Sequence, residues 1–142
     1  MTNFKRIGGF FRAPIEPPPP RHAIETLCGR YGATFVDVSA CDPTSQPVDL
    51  ILAFGGDGTV LRALERFIDV PVLAVNYGSV GFLTQCERED LESTLERVLK
   101  GEFLVEERLS LSVIAGDWVE RAVNEVVIKG ERHMIEVAVA VN

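Results

Sequence analysis

Residues 48–59 read VDLILAFGGDGT. An apolar run of strand length, residues 48–54, stops at a cluster of glycines, and a segment with helical character, residues 60–68, follows the cluster. This succession is typical of a strand–loop–helix phosphate site, in which the loop lies at an edge of an α/β sheet. The stretch therefore predicts an α/β fold with an anion-binding turn directly after a buried strand.

The residue types of this loop suit phosphate and also suit chemistry. Gly55, Gly56 and Gly58 leave it without side chains, so that backbone N–H groups can approach an anion closely. Thr59 is expected to cap the next helix, whose N-terminus adds partial positive charge at the same place. Asp57 is the one ionisable group of the loop, and a carboxylate beside phosphates is unfavourable unless it holds a cation or accepts a proton. Its presence favours a reaction over simple phosphate binding.

Two commoner nucleotide motifs do not fit the loop. The chain has no G-x-x-x-x-G-K-[ST] and no Gly-Lys dipeptide, which excludes a P-loop. Leu61 stands where a dinucleotide fingerprint has its third glycine, so a Rossmann dehydrogenase is a weak interpretation. Taken alone, the cluster is best explained as a tight turn between strand and helix, with Asp57 at the surface.

A second glycine cluster argues against that simpler interpretation. Residues 71–75 form another apolar run of strand length, and it ends in the sequence NYGSVGFL, residues 76–83. Two consecutive parallel strands would then each end in a glycine loop on the same edge of one sheet, which is where open α/β sheets bind ligands. Asn76 and Phe82 are expected to belong to the ligand-binding site, where they would shape this second loop rather than react. Arg62, one turn into the first helix after the loop, is either a phosphate clamp or an ordinary surface arginine.

A third feature, Asn124-Glu125, precedes the apolar residues 126–128. An adjacent amide and carboxylate suit the hydroxyls of a ribose, since Glu accepts hydrogen bonds and Asn both donates and accepts them. A turn or the end of a strand explains the pair equally well.

Together these motifs resemble the NAD kinase family. The matching segments, in order, are GGDGT at 55–59, N-x-G-x-x-G-F-L at 76–83, Arg-Leu at 108–109, Asn-Glu-Val-Val at 124–127 and His-Met-Ile-Glu at 133–136. GGDGT alone is shared with diacylglycerol and sphingosine kinases, whereas the other segments are more specific to NAD kinases. The resemblance implies a doubly wound Rossmann-like α/β domain at residues 1–102, followed by the first strands of a β-rich NAD-binding domain at 103–142.

The resemblance also implies the reaction and its residues. NAD kinases move the γ-phosphoryl of ATP, in some members also of polyphosphate, to the adenosine ribose 2′-hydroxyl of NAD, giving NADP. Asp57 would accept the hydroxyl proton, Gly58 would line the site, and the rest of GGDGT would bind phosphate. Asn124 and Glu125 would contact NAD. His133 would also lie at the NAD site, although an edge-strand histidine is an equally good explanation.

Further expectations concern the surroundings of such an enzyme. Mg²⁺ is expected because phosphoryl donors carry it, and no oxygen cage for it is evident in the sequence. A full-length form is expected to be a homo-oligomer, a dimer or tetramer. This chain has the character of an N-terminal fragment, because family members are about twice its length. Two alternatives stay open: a lipid kinase catalytic domain, and a non-catalytic nucleotide-binding fragment.

Composition narrows the class of protein. The 142 residues are 46% hydrophobic, which is enough for a core, and carry a net charge of −7 with a pI near 4.8. This charge argues against nucleic acid and acidic membranes as partners. No apolar run reaches membrane-spanning length. Three separated cysteines without a C-x-x-C motif predict reduced thiols in a cytoplasmic protein, and two histidines are too few for a zinc constellation.

The remaining patterns predict the layout. Strands are expected at residues 7–11 and 34–38, and helices at 21–31 and 87–100, the latter ended by Gly101. The four prolines at 17–20 form a stiff spacer, or less simply a docking ligand. Alternation at 109–113, the turn Gly116-Asp117 and residues 118–128 predict a β-hairpin, and a last strand is expected at 134–141.

Overall fold

The computed structural model describes residues 4–12, 14–78, 81–130 and 138. The chain divides into two compact units, Met1–Arg108 and Leu109–Asn142, and each is considered by itself. None of the helices in the described residues is both long enough and apolar enough to cross a membrane.

The first unit is an alternating series of strands and helices. Its strands are β1 (Arg6–Phe10), β2 (Thr34–Asp37), β3 (Leu50–Gly55), β4 (Val72–Asn76) and β5 (Cys86–Glu87). Its helices are α1 (Arg21–Arg30), α2 (Asp57–Arg66) and α3 (Leu91–Lys100), the last preceded by a 3-10 turn at Arg88–Asp90. All strand pairs are parallel. The α/β class expected from the sequence is confirmed.

The strand order of the sheet is β2-β1-β3-β4-β5. From β1 the chain moves outward to β2, then returns across β1 to β3 and continues in the other direction to β5. The order therefore reverses between β1 and β3, which makes the sheet doubly wound. Open sheets of this kind bind ligands outside the carboxyl ends of the strands at the point of reversal.

Two apolar layers enclose the sheet. Helices α1 and α3 cover one face, where Leu52 and Phe54 of β3 pack with Ile24 and Leu95. Helix α2 lies on the other face, where Ala63 packs with Ile51 and Ala53. All six residues of β3 are buried. A parallel strand covered on both faces is expected to be apolar throughout, and this is why residues 50–54 form an unbroken apolar run.

Several boundaries differ from those expected. Helix α2 begins at Asp57 rather than at residue 60, so Thr59 lies inside the first turn. The expectation that Thr59 caps the helix is wrong: Gly56 occupies the N-cap position, and no side chain caps the helix by a hydrogen bond. The helix expected at residues 87–100 starts at Leu91, because Glu87 pairs with Asn76 in the short strand β5.

Two glycines follow helix ends, and the one at position 101 was expected there. Gly101, with φ of +89°, follows α3 in the left-handed conformation, and its N–H donates to the carbonyl of Val98. Gly32, with φ of +72°, follows α1 in the same region. The prolines at 17–20 lead directly into α1, where the Pro20 carbonyl accepts the N–H of Ile24. This placement favours the spacer interpretation of the proline run.

The second unit contains an antiparallel hairpin, β6 (Leu111–Ala115) and β7 (Trp118–Ala122), turning at Gly116 with φ of +61°. The hairpin and its turn were expected, but its second strand is shorter than expected. It ends at Ala122, and residues 123–130 have no regular structure. The strand expected at 134–141 falls outside the described residues, apart from position 138.

Candidate functional site

The GGDGT loop connects β3 to α2 in a tight turn. Gly55 is the last residue of β3 and has φ of +156°, a region that favours glycine. A Cβ atom on Gly55 would lie 2.8 Å from Cβ of Thr59, which is closer than carbon atoms can approach. The first turn of α2 therefore folds back tightly on the strand end. Its leading N–H groups, without a side-chain cap, are the donors expected to meet an anion.

Asp57 is held by the second glycine loop. Its Oδ2 accepts a hydrogen bond from the N–H of Phe82 at 3.0 Å, and its Oδ1 accepts one from the N–H of Leu83 at 2.9 Å. The residue is half-buried. An ionised carboxylate offers about four acceptor positions, so each oxygen keeps one free for a further donor. The two glycine loops thus meet at a single carboxylate on the carboxyl edge of the sheet.

Asn76 organises the base of the second loop. Its side chain is 5% exposed, and Nδ2 donates to Glu87 Oε2 at 3.1 Å while Oδ1 accepts from the N–H of Gly78 at 3.1 Å. The N–H of Tyr77, the residue after Asn76, donates to the Gly55 carbonyl at 3.3 Å. These bonds tie β4 to β5 and to both loops. Asn76 is therefore held at the base of the second loop, and its expected role in shaping that loop stays a prediction.

Phe82 and Arg62 are close in sequence to the two glycine loops, and both are exposed. The Phe82 side chain is 98% exposed, although its N–H contacts Asp57. Arg62 Nη1 forms an ion pair with Glu65 Oε2 at 3.1 Å on the surface of α2. An exposed pair of this kind contributes little to stability, so Glu65 competes only weakly with an anionic ligand for the guanidinium.

Arg12 is a candidate that the sequence did not identify. It follows β1 by two positions, and its Nη1 lies 3.5 Å from the position that a Cβ atom on Gly58 would occupy. Arg12 and the GGDGT loop therefore face each other across the point where the strand order reverses. The signal was an arginine just after an apolar strand. It becomes meaningful only when β1 and β3 are known to be neighbours.

Tyr77 and Cys86, close to the two loops, are unsuited to accept a proton near neutral pH. Burial raises the pKa of the Tyr77 phenol, and burial likewise raises the pKa of the Cys86 thiol. Both side chains therefore keep their protons near neutral pH. In the described part of the chain, no group of three or more His, Cys, Asp or Glu side chains is arranged to hold a metal ion.

The predicted site residues divide between the two units. Those of the first unit lie at the carboxyl edge of the sheet, except Arg62, which pairs with Glu65 on the exposed surface of α2. Asn124 and Glu125 belong to the second unit, where both are exposed in the irregular segment after β7. His133 lies outside the described residues.

Comparison with known proteins decides the family. A sequence profile of the ATP-NAD kinase N-terminal domain matches residues 20–103, which is more than half of the chain. The chain belongs to the NAD kinase family. The family expected from the sequence motifs is confirmed.

Individual relatives agree with this assignment. An NAD kinase of Methanothermobacter thermautotrophicus is 42% identical over 105 residues, which are 71% of this chain and 37% of that protein. The fold is similar to that of an NAD kinase from Archaeoglobus fulgidus solved in complex with ATP, with a TM-score of 0.63 at 22% identity over 80% of this chain and 45% of the other. Yeast NADH kinase complexed with NADH gives a TM-score of 0.61 at 19% identity, covering 86% and 48%. This chain thus spans less than half the length of each of these three proteins.

Proposed function

We propose that this chain carries the phosphoryl-donor half of an NAD kinase, which transfers the γ-phosphoryl of ATP to the 2′-hydroxyl of the adenosine ribose of NAD. The observation that carries the proposal is the meeting of both glycine loops at Asp57. A carboxylate with free acceptor positions sits there beside an uncapped helix N-terminus, at the ligand-binding edge of a doubly wound sheet. Membership of the family gives this geometry its substrates.

The loop and helix would bind the donor. Gly55, Gly56, Gly58 and Thr59 form a turn in which backbone N–H groups take the place of side chains, and the start of α2 adds partial positive charge. On a molecule with a net charge of −7, such a local concentration of donors is needed to attract a polyanion. Triphosphate and polyphosphate present the same chemistry to it, so either is a candidate donor.

Asp57 would act as the proton acceptor. The 2′-oxygen attacks the γ-phosphorus, the bond between that phosphorus and the β–γ bridging oxygen breaks, and ADP leaves. The hydroxyl proton passes to a free position on the Asp57 carboxylate, where proton transfer contributes about 10²–10⁴-fold to the rate. Because its two oxygens are fixed by Phe82 and Leu83, the carboxylate is oriented before substrate arrives.

The other partners follow from the family and are part of the same proposal. Asn124 and Glu125 are exposed and lie outside the helices and strands, so they are available to contact NAD. His133 is assigned to the NAD site by resemblance. Mg²⁺ would arrive on the donor phosphates, since Asp57 is the single carboxylate of the loop and the described residues form no cage. We further propose residues 1–102 as the nucleotide-binding domain, residues 103–142 as the start of the NAD-binding domain, and a cytoplasmic homo-oligomer.

The test is an assay for NADP, coupled to an NADP-specific dehydrogenase, on a form of the protein of family length. Wild type should form NADP from NAD and ATP. Asp57→Asn should reduce kcat by at least about 10²-fold, because the nearly isosteric amide accepts no proton. Its melting temperature should fall only slightly, since one of the two amide donors loses its acceptor. Near-normal kcat would remove Asp57 from this role. Phosphorylation of diacylglycerol or sphingosine instead of NAD would favour the lipid kinase alternative.

A further inference from the structure

We infer that the backbone of residues 81–83 is a positioning element for Asp57, and that position 81 is a glycine because the Asp57 carboxylate lies against it. Gly81, Phe82 and Leu83 would act through their main chain, whatever their side chains do. The catalytic meaning of this inference rests on the function proposed above, whereas the contact itself does not.

The backbone of the second glycine loop supplies one donor for each oxygen of Asp57. Two consecutive N–H groups, of Phe82 and Leu83, each bond a different oxygen of one carboxylate, at 3.0 and 2.9 Å. One hydrogen bond would leave the carboxylate free to rotate about its last side-chain torsion. Two bonds to separate oxygens fix that rotation, and they direct the remaining acceptor positions of both oxygens away from the loop.

The Asp57 carboxylate lies so close to Gly81 that position 81 has no room for a side chain. A Cβ atom there would overlap Asp57 Oδ1 and would lie 3.2 Å from Asp57 Cγ, with Thr84 Oγ1 at 3.3 Å. The backbone of Asp57 is fixed in the first turn of α2, so only its carboxylate or the loop can move. A side chain at position 81 would therefore either rotate the carboxylate away from the two N–H groups or displace the loop that carries them, and in both cases the hydrogen bonds of Phe82 and Leu83 to Asp57 would be weakened.

A side chain at position 81 should affect the reaction and not the binding of the donor. Disturbing residues 81–83 changes where the Asp57 carboxylate points, whereas the GGDGT loop and the start of α2, which would bind the donor phosphates, stay in place. A misplacement of about 1 Å costs roughly 10²-fold in rate for reactions that depend on orientation. The loss should therefore appear in kcat rather than in the KM for ATP.

A thermodynamic cycle tests the contact without any assay of activity. Gly81→Ala, Asp57→Ala and the double variant are compared by thermal and denaturant unfolding of the full chain. Gly81→Ala should lower the melting temperature by several degrees in the wild-type background, and most of that loss should vanish when residue 57 is alanine. Coupling of this kind is expected for residues that are in contact or share a hydrogen-bond network, and not for distant, independent sites. It also separates the carboxylate from any local backbone effect of alanine at position 81, which is common to both backgrounds.

Gly78→Ala is the matched control for stability. Gly78 lies in the same loop, but no atom of the described residues, its chain neighbours apart, is within 4 Å of the position of its Cβ. Its effect on the melting temperature should be the same with aspartate or alanine at position 57. Equal losses from Gly81→Ala in both backgrounds would overturn the inference.

Turnover then tests positioning against simple structural damage. In a form that makes NADP, Gly81→Ala should reduce kcat by about 10²-fold and change the KM for ATP by less than threefold. A raised KM with unchanged kcat would contradict a positioning role even if the cycle shows coupling. If wild type makes no NADP, the proposed function fails, yet the unfolding cycle still decides whether the loop holds Asp57.

Discussion

At the scale of single residues, two arginines differ in how they present positive charge near the GGDGT loop. Arg12 Nη1 lies close to Gly58, across the point where the sheet order reverses. Arg62 is on the exposed side of α2 and already pairs with Glu65 at 3.1 Å. A cation beside a helix N-terminus is unfavourable unless an anion joins it, so the position of Arg12 favours an anionic ligand there.

We expect Arg12→Ala to raise the KM for ATP by about tenfold, which corresponds to the roughly 1.4 kcal/mol of one charge-assisted contact. Arg62→Ala is the matched control and should change the same KM by less than threefold. Steady-state kinetics at saturating NAD measure both. The reverse order of effects would assign the phosphate clamp to Arg62, as one interpretation of the sequence has it.

A second prediction at this scale concerns Asn124 and Glu125. Replacing both by alanine should raise the KM for NAD much more than the KM for ATP, because the pair is assigned to the dinucleotide. Both residues are exposed and lie outside regular structure, so the melting temperature should change little. Glu120→Ala, an exposed change on β7 of the same unit, is the control. Equal losses for both substrates, or a lowered melting temperature, would make the pair structural.

At the scale of elements, helix α1 carries a group whose titration is linked to folding. Cys28 is 0% exposed and packs in the core between the sheet and α3. Burial raises the pKa of its thiol from the ordinary 9.0 to about 11. A raised folded-state pKa means that the folded state keeps its proton where the unfolded chain loses it. This contribution to stability is complete below pH 9 and is lost as the pH rises toward 11.

The expected result is a fall in the free energy of unfolding between pH 9 and 11, of up to about 2–3 kcal/mol from this thiol. Tyrosine and lysine side chains titrate in the same range, so the slope must be compared with that of Cys28→Ala. The variant should be less stable throughout but should lose less stability over this interval. Denaturant unfolding at several pH values measures the slopes, and parallel slopes would show that Cys28 does not contribute.

The elements also show how far sequence patterns reach. The apolar run at 50–54 and the glycines after it predicted β3 and the loop, because a strand buried on both faces needs no polar residue. Strand β5 was not predicted. It has two residues, and its pairing with β4 brings Glu87 to Asn76 across the intervening loop, a contact that no periodic pattern in the sequence announces. The carboxylate at Asp57 was found from its loop, but its two N–H partners belong to another loop, and Arg12 belongs to a third.

At the scale of the whole molecule, the chain is shorter than the NAD kinases it resembles. It spans 37% of the Methanothermobacter thermautotrophicus protein and 45% of the Archaeoglobus fulgidus chain. Its second unit exposes four large apolar side chains on the β6–β7 hairpin: Leu111, Ile114, Trp118 and Val119. Ile114 and Val119 are cross-strand partners on one face of the hairpin, and Leu111 and Trp118 lie on the opposite face, so both faces offer apolar side chains to a covering partner.

The last prediction compares the 142-residue chain with a form of family length. The short chain should make little or no NADP, because a substrate site that these residues enclose only in part would leave the reacting groups solvated and poorly oriented. It should also self-associate through the hairpin.

Trp118 reports whether the hairpin is covered, because it is the single tryptophan of this sequence and is 55% exposed. Its fluorescence should be red-shifted and readily quenched by iodide in the short chain at low concentration. In a form of family length, in which any other tryptophan has been replaced by phenylalanine, its emission should be blue-shifted and protected. A short chain that is monomeric and as active as the longer form would show that these 142 residues suffice. Equal quenching of Trp118 in both forms would show that the hairpin stays uncovered.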